Sequence, residues 1–554
     1  VTDRLDALLV PTPWYPTAHN RVGGSFVSDW SSLAAGLADE VRVVHAEEWP
    51  GGTAERVAGL APATDVVLGH LARTGGLTVT GRSGPLTRVP TVITGGFSVA
   101  QRAEAAVEAS RRYGGPWEAP VLHGHVGYLG GLTAARLADP AARVVVTEHS
   151  TGLADFLDTS AGRDIYEEML ERAHTLTCVS SVVRSLIVGA FPAYADRVRV
   201  VPNPVDFHPV GQRVGTPERL DRWVFAGGLI ERKGVLRLTR AFAAFASGRP
   251  AARLDVFGTG ALEDRMRELL REAGVEGRAT FHGAVPHAVL LQALPEHDVL
   301  LAPSTYETFH LVVPEAVAAG VPVVVTRSGG PEEALQGVAD LVGRFVDVGE
   351  DHDEIVDAVR DLEQGLDRID LVRAREILDA RYGPRAVTAE LAGLYGLGSP
   401  PAGERPVTRP APRPGGRPRP LTLVSVSGWR RYAVAAAAET AAQVGLEPVL
   451  VTADGRLRSD HADLPVASPE SWADTERRTL WDRVRPVLRS LRARRRPRLA
   501  DLREPRRPDL RGDVLVLDVA SFPTVAAALG AHPDLRLGVE IDRSRFGLEP
   551  VDSA

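Results

Sequence analysis

The chain has 554 residues, of which 44% are hydrophobic and 24% charged, with a net charge of −7. These values exclude a disordered or collagen-like chain, and the acidic balance gives no global attraction to nucleic acid. The single cysteine, Cys178, excludes an internal disulfide framework.

The start, VTDRLDALLV, is charged at once, and no stretch of about 18 apolar residues occurs in the chain. The expectation is a cytoplasmic protein with neither a leader nor a membrane span. The apolar runs LDALLV (5–10), VRVVHA (41–46), DVVLGH (65–70), RVVVTEH (143–149), LTCVS (176–180) and VRVVP (198–202) read as strands. Ala-, Leu- and Arg-rich segments such as GGLTAARLAD read as the helices between them. Continuous β-branched runs followed by helices argue for βαβ units and a buried parallel sheet. Cys178 sits in one such run and reads as a buried thiol rather than a nucleophile.

A polar break at residues 203–221, containing Pro204 and Pro209, precedes a second series. WVFAG, LDVFG, ATFHG, DVLLAPS and PVVVT read as strands; KGVLRLTRAFAAFA, ALEDRMRELLREAG, HAVLLQAL and LVVPEAVAAG read as helices. A further helix, PRAVTAELAGLYGL (384–397), closes this part. Residues 398–420 are rich in Pro, Gly and Arg and read as an extended linker. LTLVSVS, RRYAVAAAAETAAQVG, LEPVLVTA, VLVLDVA and LRLGVEID then suggest another small α/β unit. The division read from this pattern is a first Rossmann-like domain at 1–208, a second at 209–397, the linker, and an extra unit of unknown role at 421–554.

Lys233 is the only lysine of the chain; every other basic residue bar the histidines is arginine. It reads as opening a helix just after a strand and loop, with Gly234 letting backbone approach closely. An ammonium beside a helix N-terminus suits a phosphate; a plain surface lysine is the alternative. In PSTYETFHLVVPEAVAAGVPVVVT (303–326), seven residues separate Glu307 from Glu315. A carboxylate there accepts both hydrogen bonds of a vicinal diol such as a ribose, and the backbone N–H groups of Thr308, Phe309, His310 and Leu311 face an anion at the helix start. Two solvated glutamates are the alternative.

At these residues the chain resembles the group 1, family-4 glycosyltransferases, retaining enzymes of the GT-B fold, over about residues 5–397. GGSFVSDW (23–30), HGHVGYLGG (123–131), VVTEHST (145–151), TCVSSVV (177–183), VVPNPVDF (200–207), GGLIERKG (227–234), DVFGTGALED (255–264), the 303–326 segment and SGGPEE (328–333) follow in the family's order. The resemblance implies two Rossmann-like, doubly wound α/β domains facing a cleft, the first holding the acceptor and the second the donor.

The activity implied is transfer of a hexosyl-type sugar from a nucleoside-diphosphate sugar to a hydroxyl acceptor, lipid-linked or saccharide, in glycan, glycolipid or glycoconjugate synthesis. It needs no metal and no other cofactor. Lys233 matches the lysine that pairs with the donor pyrophosphate, and Glu315 the glutamate that holds the ribose. Glu307 matches the glutamate near the donor sugar, and His149 the histidine that lines the reaction centre. Gly23 and Gly24 match the N-terminal glycine loop, Gly258 and Gly260 the turn of the donor domain. The chain departs from the pattern twice. Gly228 stands where an arginine is common, with Arg232 as the nearest replacement, and His310 stands where a glycine is common.

A catalytically weakened, nucleotide-binding or scaffold relative is the second reading; the two departures and the extra unit favour it, and the intact Lys233, Glu307 and Glu315 oppose it. His123 and His125 read first as hydrogen-bonded structural groups. Asp351 and Asp353 have the spacing of a metal pair but read as a helix cap. No metal-binding motif occurs. The basic run LRSLRARRRPRLADLREPRRP (488–508) reads either as a contact for anionic lipid at the inner membrane face or as a solvated helix and linker, since Asp501 and Glu504 interrupt it.

Overall fold

The computed structural model describes residues 4–17, 20, 23–208, 211–213, 215–398, 419–425, 431–443, 446–451, 513–518, 521–531 and 535–541. The proposed linker, apart from its ends, and the basic run lie outside these residues.

Three sheets form. The first contains β1 (Leu5–Thr12), β2 (Ala38–Pro50), β3 (Thr78–Thr80), β4 (Pro85–Ile93), β5 (Val121–His125), β6 (Arg143–Glu148), β7 (Thr175–Cys178) and β8 (Val198–Val200). Its strand order is β3-β4-β2-β1-β5-β6-β7-β8, and every pair is parallel except β3 with β4. The second holds β9 (Arg222–Ala226), β10 (Arg253–Phe257), β11 (Ala279–Gly283), β12 (Val299–Ala302), β13 (Val323–Thr326) and β14 (Gly343–Val346), all parallel, in the order β11-β10-β9-β12-β13-β14. In both, the chain starts at the centre and winds outward first to one side and then to the other. The loops at the carboxyl ends of the central strands are thereby left free to build a site.

The central strands are buried on both faces: β12 and β13 are buried at every position, as continuous Val/Leu runs require. Cys178 is fully buried at the end of β7, and burial pushes its thiol far up.

Two sequence expectations need correction. DVVLGH is not a strand but part of a helix, Ala54–Thr74, capped by Thr53. The buried residues Leu60, Val67, Leu68 and Leu71 recur at helical spacing and outweigh the short β-branched run. The helix Pro384–Tyr395, read as the end of the second domain, packs back on the first: Val387, Leu391 and Tyr395 share a core with Leu8, Val10 and Trp30.

The third sheet comprises β15 (Arg419–Val424), β16 (Leu446–Val451), β17 (Asp513–Val516) and β18 (Arg536–Gly538), parallel in the order β16-β15-β17-β18. It docks on the first domain. Phe522, Val525 and Leu529 pack with Trp49, Leu60, Val67 and Leu71. At the same junction Arg88 of β4 lies between Glu47 and Glu540, all three buried.

Candidate active site

Lys233 does not open a helix. It ends a short 3-10 turn, Glu231–Lys233, and the helix Val235–Ser247 starts after Gly234. Gly234 has φ 65°, and a β-carbon there would meet the carbonyl oxygen of Pro303 at 2.0 Å. Glycine is thus what lets the turn seat against the end of β12.

The loop after β12 is tied to this turn. Thr305 N–H donates to the carbonyl of Arg232 at 2.8 Å, and Arg232 Nη1 donates to the carbonyl of Tyr306 at 2.8 Å. Glu307 is thereby brought beneath two cations: Lys233 Nζ is 2.6 Å from its Oε1 and Arg232 Nη1 is 3.4 Å from the same oxygen. On its other side, Glu307 N–H donates to Ser328 and Gly330 N–H to the Glu307 carbonyl, each at 3.0 Å, so SGGPEE clamps the loop. Arg232 supplies a second cation here, although Gly228 stands where the family often has arginine.

Burial alone would raise the Glu307 carboxyl; His310 and Lys233 oppose it and hold it at about 2. His310 is itself pushed down to about 4 by burial, so near neutral pH the cations on Glu307 are Lys233 and Arg232. His310 has a positive φ, 69°, which a glycine would adopt without strain. Thr308 and Phe309 are buried beside it, the Phe309 ring edge-on to Tyr382 at 5.3 Å, and Leu311 leads into the helix Val312–Ala319.

Glu315 lies in the first turn of that helix. Its Oε1 is 2.8 Å from Nε2 of His287, and the carboxylate raises this imidazole to about 9. His287 also feels Asp29 of the first domain, on the helix Ser25–Ala34, and burial raises Asp29 against the pull of His287 and Arg82. Glu315 of the second domain and Asp29 of the first thus both act on His287. Sequence reasoning missed both His287 and Asp29, because only the closure of two domains makes them neighbours.

The same first-domain helix carries Phe26 and Trp30. Phe26 lies 4.5 Å, ring to ring, from His149, and Trp30 meets the rings of His123, His125 and His149. His149 Nε2 is 2.9 Å from Nδ1 of His125, while its Nδ1 is buried without a partner. Glu148 accepts from the backbone N–H groups of Gly127, His149 and Ser150 and from Tyr166 Oη, which fixes the loop bearing His149. His123, His125 and His149 are all held neutral by burial. The structural reading of His123 holds, since it bonds Tyr395 and Thr147; His125 does more, because it orients His149. No hydrogen bond or ion pair among the described residues joins His149 to Lys233 or Glu307.

Gly24 precedes the Asp29 helix with φ 75°, and a β-carbon there would strike the Trp14 backbone at 2.4 Å. Gly23 N–H donates to Asn20. Gly258 and Gly260 belong to a turn tied to the Lys233 loop by Gly227 N–H to Phe257, Leu229 N–H to Thr259 and Leu262 N–H to Leu229, at 2.9, 3.0 and 3.1 Å. Asp351 accepts from the backbone N–H of Asp353, but the N-cap of the helix is His352 and no side chain caps it. No cluster of metal-ligating side chains occurs among the described residues.

Comparison with known proteins agrees with this architecture. A model described as glycosyl transferases group 1 matches residues 221–364, and one described as Glycosyltransferase Family 4 matches residues 32–208. Over 310 residues the chain is 30% identical to a D-inositol 3-phosphate glycosyltransferase of Corynebacterium jeikeium, covering 53% of this chain and 70% of that protein. Over 280 residues it is 30% identical to a GDP-mannose-dependent alpha-(1-6)-phosphatidylinositol monomannoside mannosyltransferase of Mycobacterium tuberculosis, covering 47% and 70%. A match at 30% to an uncharacterized glycosyltransferase of Methanocaldococcus jannaschii covers 31% of this chain and 46% of that protein, less than half of its length. Among solved structures, Thermosynechococcus elongatus sucrose-phosphate synthase aligns with TM-score 0.53 at 18% identity, covering 71% of this chain and 98% of that one. Anabaena HepE in complex with UDP aligns with TM-score 0.50 at 16% identity, covering 71% and 99%. The chain belongs to the group 1, family-4 glycosyltransferases and has their GT-B fold.

Proposed function

We infer that the chain transfers a sugar from a nucleoside-diphosphate sugar to an acceptor hydroxyl and retains the anomeric configuration. One observation carries the reading: Lys233 and Arg232 converge on Glu307 in the loop after β12, with Glu315 in the first turn of the helix that follows. Departure of the sugar leaves a diphosphate that gains negative charge in the transition state, and preorganised cations stabilise that charge most. Lys233 has three N–H donors and gives one to Glu307, so the others remain for phosphate oxygens. These protein cations do the work that a metal does in other transferases, and the reaction is proposed to need none.

Glu315 offers a carboxylate to the ribose diol. HepE's bound UDP and the GDP-mannose dependence in the mycobacterial relative's name both support a nucleoside-diphosphate donor. The acceptor is proposed to enter from the first domain, beside His149. Retention is inferred from the family resemblance together with the placement of Glu307: its carboxylate is tied to Lys233, which leaves it a poor nucleophile. Same-face attack, with the donor phosphate taking the acceptor proton, then fits best. No helix among the described residues is long and apolar enough to cross a membrane, so a lipid-linked acceptor would be met from the membrane surface.

A thermal-shift screen against UDP, GDP and ADP, run beside Glu315→Ala, tests the donor site. The expected result is one nucleotide that raises the melting temperature of the wild type and not of the variant. Stabilisation of both alike, or of neither, would overturn the reading. NMR of the product's anomeric centre then decides retention.

A further inference from the structure

His310 departs from the family's pattern and carries two costs in the same side chain. Among the described residues, only Val126 and His310 combine a side chain with positive φ, and glycine would sit at 310 without strain. Its ring is buried, with the residue 7% exposed, and Nδ1 has no hydrogen-bond partner. Unpartnered buried nitrogens are rare in proteins, and each calls for a partner.

The neighbour of the ring's other nitrogen limits what that partner can be. Nε2 lies 3.8 Å from Oε1 of Glu307, the same oxygen that Lys233 Nζ meets at 2.6 Å. A carboxylate oxygen only accepts, so it favours the tautomer with the proton on Nε2. Nδ1 then carries a lone pair. Phosphate oxygens are acceptors too and cannot satisfy it; a hydroxyl can. The ring stands in the loop of the cations proposed to hold the diphosphate, where the transferred sugar joins it.

We propose that His310 reads the transferred sugar: its Nδ1 accepts a hydrogen bond from a hydroxyl of the glycosyl group on the donor. This rests on the donor-site reading above and makes His310 a residue that sets sugar preference. The proposal gives the strained conformation a use: it sets an imidazole beside Glu307.

Calorimetric titration of the full chain separates the possibilities. The probes are UDP, GDP, UDP-glucose, UDP-N-acetylglucosamine and GDP-mannose, and the variants are His310→Gly and His310→Asn. Glycine accepts positive φ, so His310→Gly is expected to fold with an unchanged or higher melting temperature. It should bind the preferred sugar nucleotide about 5- to 10-fold more weakly, the worth of one neutral hydrogen bond, and the bare nucleoside diphosphate as before. His310→Asn tolerates positive φ and offers an amide oxygen, so it should recover most of the loss. Equal weakening of sugar nucleotide and bare nucleotide, or no weakening of either, would overturn the proposal while leaving the donor site intact. Failure of the wild type to bind UDP or GDP at all would overturn both.

Discussion

Lys233 Nζ lies 2.6 Å from Oε1 of Glu307, across 74 positions of sequence. An ammonium is a compact point charge that can touch this oxygen and still turn donors to a phosphate; a guanidinium is planar and forked, and Arg232 already occupies the flank. Lys233→Arg is therefore expected to lower kcat/KM by about 10-fold or more, and Lys233→Ala by about 100-fold, typical of removing one transition-state charge contact. Steady-state kinetics beside a nucleotide titration checks this. Full donor affinity and turnover in Lys233→Arg would show that any cation suffices at this position.

The His287–Glu315 pair makes a pH prediction. The imidazole is raised from 6.5 to about 9, chiefly by the Glu315 charge, so the folded state holds its proton more tightly than the unfolded chain. Its contribution to stability is fully present below 6.5 and lost as pH rises through about 9. The melting temperature of the wild type should exceed that of His287→Gln in mildly acidic buffer, and the gap should close above about pH 9. A gap independent of pH would mean that the ring acts by packing alone.

The strands and the donor-site motifs were legible for different reasons. RVVVTEH announces a buried parallel strand by its β-branched run, and LDALLV and DVLLAPS by short apolar runs of Leu, Ala and Val, whereas DVVLGH misled because three apolar residues cannot tell period 2 from period 3.6 without Leu60 and Leu71. Lys233, Glu307 and Glu315 were legible as a pattern of charge and spacing. Their neighbours were not: His287 lies 28 positions before Glu315, and Asp29 belongs to the other domain. His310 was visible as a departure, but its φ and its unpartnered nitrogen are tertiary facts. Nothing local in the sequence marks where the third sheet docks.

Closure has a specific contact. Glu333 Oε2 accepts from Ser181 N–H at 2.7 Å and from Ser181 Oγ at 2.6 Å, which places a carboxylate of the second domain on the N-terminus of a first-domain helix, Ser181–Ala190. Glu333 belongs to the same SGGPEE segment that clamps Glu307. Glu333→Gln keeps the shape and removes the charge. The expected result is a kcat lowered about 3- to 10-fold with nucleotide affinity unchanged, because closure and not binding is weakened; the pair is exposed and worth about 1 kcal/mol. A fall in nucleotide affinity equal to the fall in kcat would place Glu333 in donor binding instead.

The third sheet should behave as part of the first domain. Arg88 is 3% exposed at its side chain and reaches Glu47 at 2.6 Å on its own sheet and Glu540 just after β18. Trp49 donates to the same Glu47 oxygen at 2.9 Å and stacks on Phe522. Removing one member of such a buried group strands the others, so Arg88→Met is expected to cost about 3–5 kcal/mol in denaturant unfolding. Truncation after residue 398 should cost more than the triad. It uncovers Trp49, Leu60, Val67 and Leu71, an apolar face that water does not tolerate on a soluble domain. The shortened chain is expected to bind a hydrophobic dye and to self-associate in light scattering. If it instead stays monomeric with the full chain's melting temperature, the third sheet is an independent module and the buried triad contributes nothing to the first domain.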